Sequence, residues 1–198
     1  LGEKTGQGFY KKVGPAKEIH VLDWQTLEYH PLSKPKLADA EQAKQVEDLG
    51  ERLRMLIESP GRAGTFLWKV LSDGFLYAAE RIPEISDRVV EIDRAMRWGY
   101  AHKLGPFEMW DAIGFEFVAR KIDSEGRELP ENIRRMLASG ATSFYRSADQ
   151  GGQPKTEYFC LLSNAWQPLQ ADPGTLPLAP LKRARGVVKK NAGASLID

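Results

Sequence analysis

From residue 39 to residue 138 the apolar side chains recur mostly three and four positions apart, the period of amphipathic helices. Residues 39–58 read as one helix, with Val46, Leu49, Leu53, Leu56 and Ile57 as its stripe. Asp39 stands where a cap belongs, Asp48 and Arg52 are spaced as an outer ion pair, and Ser59-Pro60-Gly61 ends the run, since proline cannot continue a helix comfortably. Residues 63–82 are the most apolar stretch: Phe66, Leu67, Val70, Leu71, Phe75, Ala78, Ala79 and Ile82, widened by Trp68 and Tyr77. A helix apolar on most sides is expected at the centre of a bundle. A third helix follows Ser86, a cap residue, with Val89, Ile92, Ala95 and Met96 on one face. Asp93 and Arg97 have the favourable acid-first order for a surface pair four apart, and Gly99 is placed to end the helix. Gly105-Pro106 restarts the chain, with Gly105 expected at positive φ and Pro106 at the first helical position. One helix is predicted from Pro106 to about Ile122, with Phe107, Trp110, Ile113 and Phe117 as a bulky face. A turn at 123–126, a short helix at 130–138 and a stop at Gly140 complete the helical region.

Two flanking stretches change period. In 18–32, Ile19, Val21, Leu27 and Tyr29 suit short strands around the turn Asp23–Thr26, and 33–36 is a linker. In 157–169, Tyr158, Cys160 and Leu162 alternate, Ser163-Asn164 turns, and Trp166–Leu169 returns. Each hairpin follows a Phe-Tyr-base triplet, Phe9-Tyr10-Lys11 in one case and Phe144-Tyr145-Arg146 in the other. Such internal similarity implies a duplicated unit.

Composition narrows the classes. The 198 residues, 42% hydrophobic with five Trp, suit a folded protein, and a formal charge of +1 gives no field that would gather nucleic acid or membrane. One cysteine, Cys160, leaves no internal disulfide and reads as a packing residue. No run is long and apolar enough to span a bilayer. The basic cluster Lys182, Arg183, Arg185, Lys189 and Lys190 lacks interleaved aromatics and reads as a solvated linker ahead of nucleic-acid binding. Gly6-x-Gly8 lacks the preceding strand and third glycine of a dinucleotide fingerprint. His20, His30 and His102 have no partner at zinc-ligand spacing, so no metal site is expected. Glu108 and Asp111 share a helix face; acid–base work is one reading, and complementing a helix dipole is the blander one.

The stretch 80–114 is the most specific. Asp93, Ala95, Gly99, Gly105, Pro106, Phe107, Glu108, Asp111 and Gly114 resemble, without a gap, the C-terminal helical domain of 3-hydroxyacyl-CoA dehydrogenases, Met109 standing where Leu is usual and Lys103 where Pro is usual. Lys4, Thr5, Gly6, Gly8, Phe9 and Tyr10 resemble the K-T-G-x-G-F-Y close of such a domain. The resemblance implies a mainly α fold, a helical bundle of the 6-phosphogluconate dehydrogenase C-terminal type with small β-hairpins. It also implies a division into 1–36 as the tail of a first helical copy, 37–170 as a second copy, and 171–198 as a linker toward a further domain, as in enzymes fused to an enoyl-CoA hydratase.

By this resemblance the parent is an NAD-dependent enzyme of fatty-acid β-oxidation. It oxidises 3-hydroxyacyl-CoA to 3-ketoacyl-CoA, with NAD and the catalytic His-Glu pair on a domain outside this chain. Thr65 and Phe66 stand where the first copy of the family carries an Asn-Arg pair, so the second copy is expected to have no catalytic, cofactor-binding or metal-ligating residue. The expected partners are the other domains of the polypeptide, acyl-CoA in the parent, and a second copy of the chain, through the aromatic helices 63–82 and 106–122. A cytoplasmic location is expected. The competing reading is a non-catalytic helical module that binds a partner or an acyl-CoA.

Overall fold

The computed structural model describes residues 2–150, 153–170, 186–191 and 194–197. A three-stranded antiparallel sheet, β1 (Tyr10–Val13), β2 (Glu18–Leu22) and β3 (Tyr29–Pro31), comes first. The helices follow: α1 (Ala38–Ala43), α2 (Leu49–Glu58), α3 (Arg62–Glu80), α4 (Val89–Tyr100), α5 (Pro106–Ile113), α6 (Phe115–Ser124) and α7 (Glu131–Ala138). A second antiparallel sheet, β4 (Tyr145–Gln150), β5 (Gln153–Cys160) and β6 (Ala165–Pro168), closes the bundle, and β7 (Val187–Lys190) pairs with β8 (Ser195–Ile197). The mainly α character with small hairpins is thus borne out. Residues 171–185, which hold Lys182, Arg183 and Arg185 of the expected linker, lie outside the described residues.

The core is aromatic. Phe144 stands edge-on to Phe107, Trp110 and Phe115 with ring centroids 4.9, 5.4 and 5.0 Å away. Trp110 stacks on Phe75 at 5.3 Å and donates its indole N–H to the Phe115 carbonyl at 3.1 Å, so the one polar atom of that side chain is satisfied. Burying each such side chain contributes on the order of 2–3 kcal/mol. Polar tethers pin the helices around this cluster. The buried Ser72 hydroxyl on α3 accepts from Arg127, and Asn132 on α7 donates to the Ala79 carbonyl at 2.8 Å.

Where expectation and structure differ, a local polar group decides. The run 39–58 is two helices, because Asp48 caps the second: its carboxylate accepts from the Glu51 N–H at 2.9 Å. Arg52 therefore does not pair with Asp48 but turns back onto the Val46 carbonyl, 2.7 Å from its Nε. Asp39 sits inside α1, whose N-cap is Leu37, and reaches across to the Gly64 N–H at 3.1 Å. The run from Pro106 breaks at Gly114, whose φ of 114° no L side chain adopts readily. Ser86 does not cap α4; it closes a local turn by accepting from the Arg88 N–H at 3.2 Å. Gly99 lies within the last turn of α4, and Ala101 ends the helix in the left-handed region at φ 56°. Of the α5 and α6 aromatics of the expected dimer face, Phe107 and Trp110 are core residues and Phe117 packs, partly buried, against that core.

The two three-stranded sheets share one register over the residues paired in both. The Leu22 N–H donates to the Phe9 carbonyl and the Phe159 N–H to the Phe144 carbonyl, at 2.9 and 2.8 Å. Tyr10 pairs with Val21 as Tyr145 pairs with Tyr158, and Pro31 with His20 as Pro168 with Glu157. Lys11 lies 5.4 Å from the Tyr29 ring, and Arg146 lies 4.1 Å from the Trp166 ring at the matching positions. Surroundings differ: Phe144 is fully buried, whereas Phe9 and Tyr10 are 76% and 61% exposed.

Because α5 and α6 can part only if Gly114 keeps its backbone angle, Gly114→Ala should lower the unfolding free energy by about 1–3 kcal/mol in urea denaturation, without changing the helix content seen by circular dichroism.

Candidate functional site

The residues that carry the family resemblance converge on the start of α5. Asp93, expected on the surface beside Arg97, is instead 1% exposed. Its carboxylate accepts from the Phe107 N–H at 2.8 Å, the Glu108 N–H at 3.2 Å and the Tyr145 hydroxyl at 2.6 Å. Helix N-termini present unpaired amides, and the N-cap here, Gly105, has no side chain to take them. Asp93 supplies the missing cap from α4. Glu108 folds back to accept from the Gly105 N–H at 2.9 Å, and Arg97 pairs with Glu108 at 2.9 Å rather than with Asp93.

Gly105 was expected at positive φ, but it is extended at φ −77° and ψ 175°. The need for glycine is contact: a Cβ there would overlap Cα, Cβ and Oδ1 of Asp93. Pro106 takes the first helical position as expected.

One turn along α5, Asp111 accepts from the Phe144 N–H at 2.8 Å and from the Tyr145 N–H at 2.9 Å. The end of the loop before β4 is thereby fastened to the helix. Tyr145 closes the circuit by donating to Asp93. Its partnership with two aspartates was not legible in sequence; the repeated Phe-Tyr pair was the one signal that pointed to it. A second polar tie, Arg146 with the 8%-exposed Glu157 at 2.7 Å, runs between β4 and β5.

Burial pushes the Asp93 carboxyl up to about 7, although the Tyr145 hydroxyl and Phe107 amide pull it back. Burial likewise pushes Asp111 up to about 7, against the Phe144 and Tyr145 amides, with the neighbouring Asp93 and Glu108 charges adding to the rise. Burial, then Asp93, raises the Tyr145 phenol beyond its ordinary value. Raised carboxyls mark many acid–base sites. Here the carboxylate oxygens face amides and a phenol that hold helix and sheet together, and among the described residues neither aspartate borders the cavities of about 570, 720 and 620 Å³. The arrangement does structural work.

The other singled-out residues do not join it. His20 and His30 lie on β2 and β3, and His102 is exposed just past α4. Cys160 is buried in β5. Among the described residues no group of three or more His, Cys, Asp or Glu is arranged to hold a metal. Thr65 and Phe66 border a shallow depression of about 570 Å³ on α3. A larger apolar groove of about 720 Å³ runs between α3 and α4 and is bordered by Val70, Gly74, Tyr77, Ile92, Met96 and His102. Gly6 and Gly8 precede an antiparallel strand, and Thr5 ties their loop to the Gly2 and Gln7 carbonyls.

A helical bundle closed by a carboxylate clamp on the Gly105-Pro106-Phe107-Glu108 corner is therefore what the fold and the site define. The chain is 41% identical over all 198 residues to a Bacillus subtilis protein described as a probable 3-hydroxyacyl-CoA dehydrogenase, covering 100% of this chain and 24% of that protein. It is also 26% identical over 138 residues to a Rickettsia prowazekii protein described as a putative fatty acid oxidation complex trifunctional enzyme, covering 67% of this chain and 18% of that protein. A Rickettsia felis protein of the same description is 29% identical over the same length. The resemblance to 3-hydroxyacyl-CoA dehydrogenases is thus borne out in sequence, and the chain spans about a quarter of the Bacillus relative (24%). No protein-family model matches the chain, and no solved structure matches it. Among the described residues no helix is long and apolar enough to cross a membrane.

Two outcomes test the clamp. Gly105→Ala should lower the unfolding free energy by about 2–4 kcal/mol, since the added methyl meets backbone as well as side chain. The aspartates hold their protons more tightly folded than unfolded, so their contribution is fully present below the ordinary carboxyl pKa and is lost as pH rises through about 7. The melting temperature should therefore rise on going from about pH 7.5 to about pH 5, and Asp93→Asn with Asp111→Asn should flatten that slope.

Proposed function

We propose that this chain is the second helical unit, preceded by the closing sheet of a first, of a multidomain 3-hydroxyacyl-CoA dehydrogenase. The supporting observation is the 41% identity, over all 198 residues of this chain, to a quarter of the Bacillus relative (24%). It is joined by the meeting of Asp93, Gly105, Phe107 and Asp111 in one clamp, which gives the motif a physical role. The helical unit is assigned to the 6-phosphogluconate dehydrogenase C-terminal type. The parent oxidises the 3-hydroxyl of an acyl-CoA and passes hydride to NAD, the cofactor supplying the redox chemistry. The groups that bind NAD and move the proton are assigned to parts of the parent outside this chain.

This chain's contribution is mechanical. Asp93 and Asp111 hold α4, α5 and β4 as one rigid body, on which the remaining domains of the parent and its acyl-CoA site are supported. No catalytic, cofactor-binding or metal-ligating residue is assigned to it. A cytoplasmic location goes with this reading. The exposed α3–α4 groove favours a second reading, a non-catalytic module that takes a partner or an acyl-CoA.

The experiment is a pair of assays. The 198-residue chain alone should neither quench NADH fluorescence nor reduce acetoacetyl-CoA, whereas the full parent should do both. Gly105→Ala in the parent should lower activity in step with lost stability, with no change in the pH profile of kcat. Turnover by the chain alone, abolished by His102→Ala, would instead place a catalytic base at the rim of the groove.

A further inference from the structure

The first sheet carries the face of the second without its seat. The loops that close the two are built alike. The Asp23 N–H reaches the Glu28 carbonyl where Cys160 pairs with Ala165, and Leu27 and Asn164 both take the left-handed region, at φ 60° and 53°. The register then places Phe9, Leu22 and Trp24 where the second sheet has Phe144, Phe159 and Leu161. Those three are buried, at 0%, 2% and 0% exposure, whereas Phe9 and Trp24 stand 76% and 78% exposed. Large apolar side chains gathered on one open face mark an interaction surface.

The polar atoms repeat the pattern. In the second sheet the Phe144 and Tyr145 amides go to Asp111, and the Tyr145 hydroxyl goes to Asp93. In the first, the Leu22 N–H bonds to Phe9 and the Leu32 N–H to Ile19. Strand alternation therefore turns Val21 toward β3, and Tyr10, which stands opposite Val21, aims its amide away from its own sheet. The Phe9 amide and the Tyr10 hydroxyl have no acceptor among the described residues. Two adjacent amides and a phenol beside an aromatic ring call for carboxylates at the edge of an apolar pocket, since a carboxylate has two acceptor oxygens and no donor.

We infer that the β1-β2-β3 sheet docks on a second helical bundle, outside these 198 residues, which meets Phe9 and Tyr10 with a pair of carboxylates. One takes both amides, as Asp111 does, and the other takes the Tyr10 hydroxyl, as Asp93 does. Phe9 fills an aromatic pocket at the partner's helix corner, with Trp24 beside it at the place of the buried Leu161. This rests on the proposed reading of the first sheet as the close of a first unit, and adds the chemistry of the seat and the atoms that meet it. The bundle of this chain cannot be that partner, because its own Phe144 and Tyr145 occupy the seat.

The test compares the 198-residue chain with the full parent polypeptide. Hydrogen–deuterium exchange over residues 8–13 and 22–25 should be slowed about a hundredfold or more in the parent. Phe9→Ala and Tyr10→Phe should each lower the melting temperature of the parent by about 3 °C or more and leave that of the chain unchanged. A benzophenone photo-crosslinker at position 9 should attach to a parent peptide outside this chain that carries an aspartate near a helix start. With that aspartate replaced by asparagine, Tyr10→Phe should cost nothing further. Equal exchange in chain and parent overturns the inference. So does a silent Tyr10→Phe beside a destabilising Phe9→Ala, which leaves an apolar contact without carboxylates. A crosslink to a second copy, or to the α3–α4 groove of this chain, overturns it as well. A parent that shows the docking but does not oxidise 3-hydroxyacyl-CoA removes the enzymatic reading and leaves the docking in place.

Discussion

The carboxylate of Asp93 is the constraint on which the bundle turns. The start of α5 needs two things that its own cap residue cannot supply together. The backbone must pass close to α4, which excludes a Cβ at Gly105, and the first amides of the helix need an acceptor. A capping side chain on residue 105 would meet the second need and violate the first. Asp93 resolves the conflict from a different helix, because the close approach that excludes the Cβ also brings its oxygens within hydrogen-bond reach of Phe107 and Glu108. Each requirement makes the other possible.

The rest of the order follows outward. With α5 fixed, Asp111 projects toward the loop before β4 and takes the amides of Phe144 and Tyr145. That placement drives the Phe144 ring among Phe107, Trp110 and Phe115 and returns the Tyr145 hydroxyl to Asp93. The circuit joins two helices and a sheet through hydrogen bonds to two carboxyls withdrawn from water. It also explains why carboxyls with raised proton affinity are not a sign of acid–base catalysis here. Their environment is set by the need to bury a helix end.

The comparison of the two sheets makes the same point from the other side. Phe9 and Tyr10 occupy the positions of Phe144 and Tyr145 in an equivalent strand register, and within this chain they are exposed. The two sheets therefore share their backbone pairing while only the second is packed on helices of this chain. The α3 face is a further case: three of the ten apolar residues read as its core stripe, Phe66, Val70 and Tyr77, point away from the core.

How much was legible in the sequence follows from these contacts. The helical regions, the central place of α3, Pro106 at the first helical position, the stop at Gly140 and the β-hairpins at both ends were local matters of period and turn chemistry. They could be read because each is decided within a few residues. The resemblance was likewise a property of adjacent letters. What the sequence could not disclose was decided by groups far apart in the chain. Asp93 and Arg97 had the spacing of a surface pair, and only the packing of α5 on α4 turned one inward and sent the other to Glu108. Asp48 and Arg52 had the same spacing, and the competing backbone amides and carbonyls took both. Periodicity reports how apolar a face is and not which of two apolar faces meets the core, so α3 and α5 looked alike as exposed candidates until the aromatic cluster claimed α5. A side chain's sequence neighbours determine whether it sits in a helix. Which partner satisfies its polar atoms, and which side of the helix is buried, depends on the whole fold.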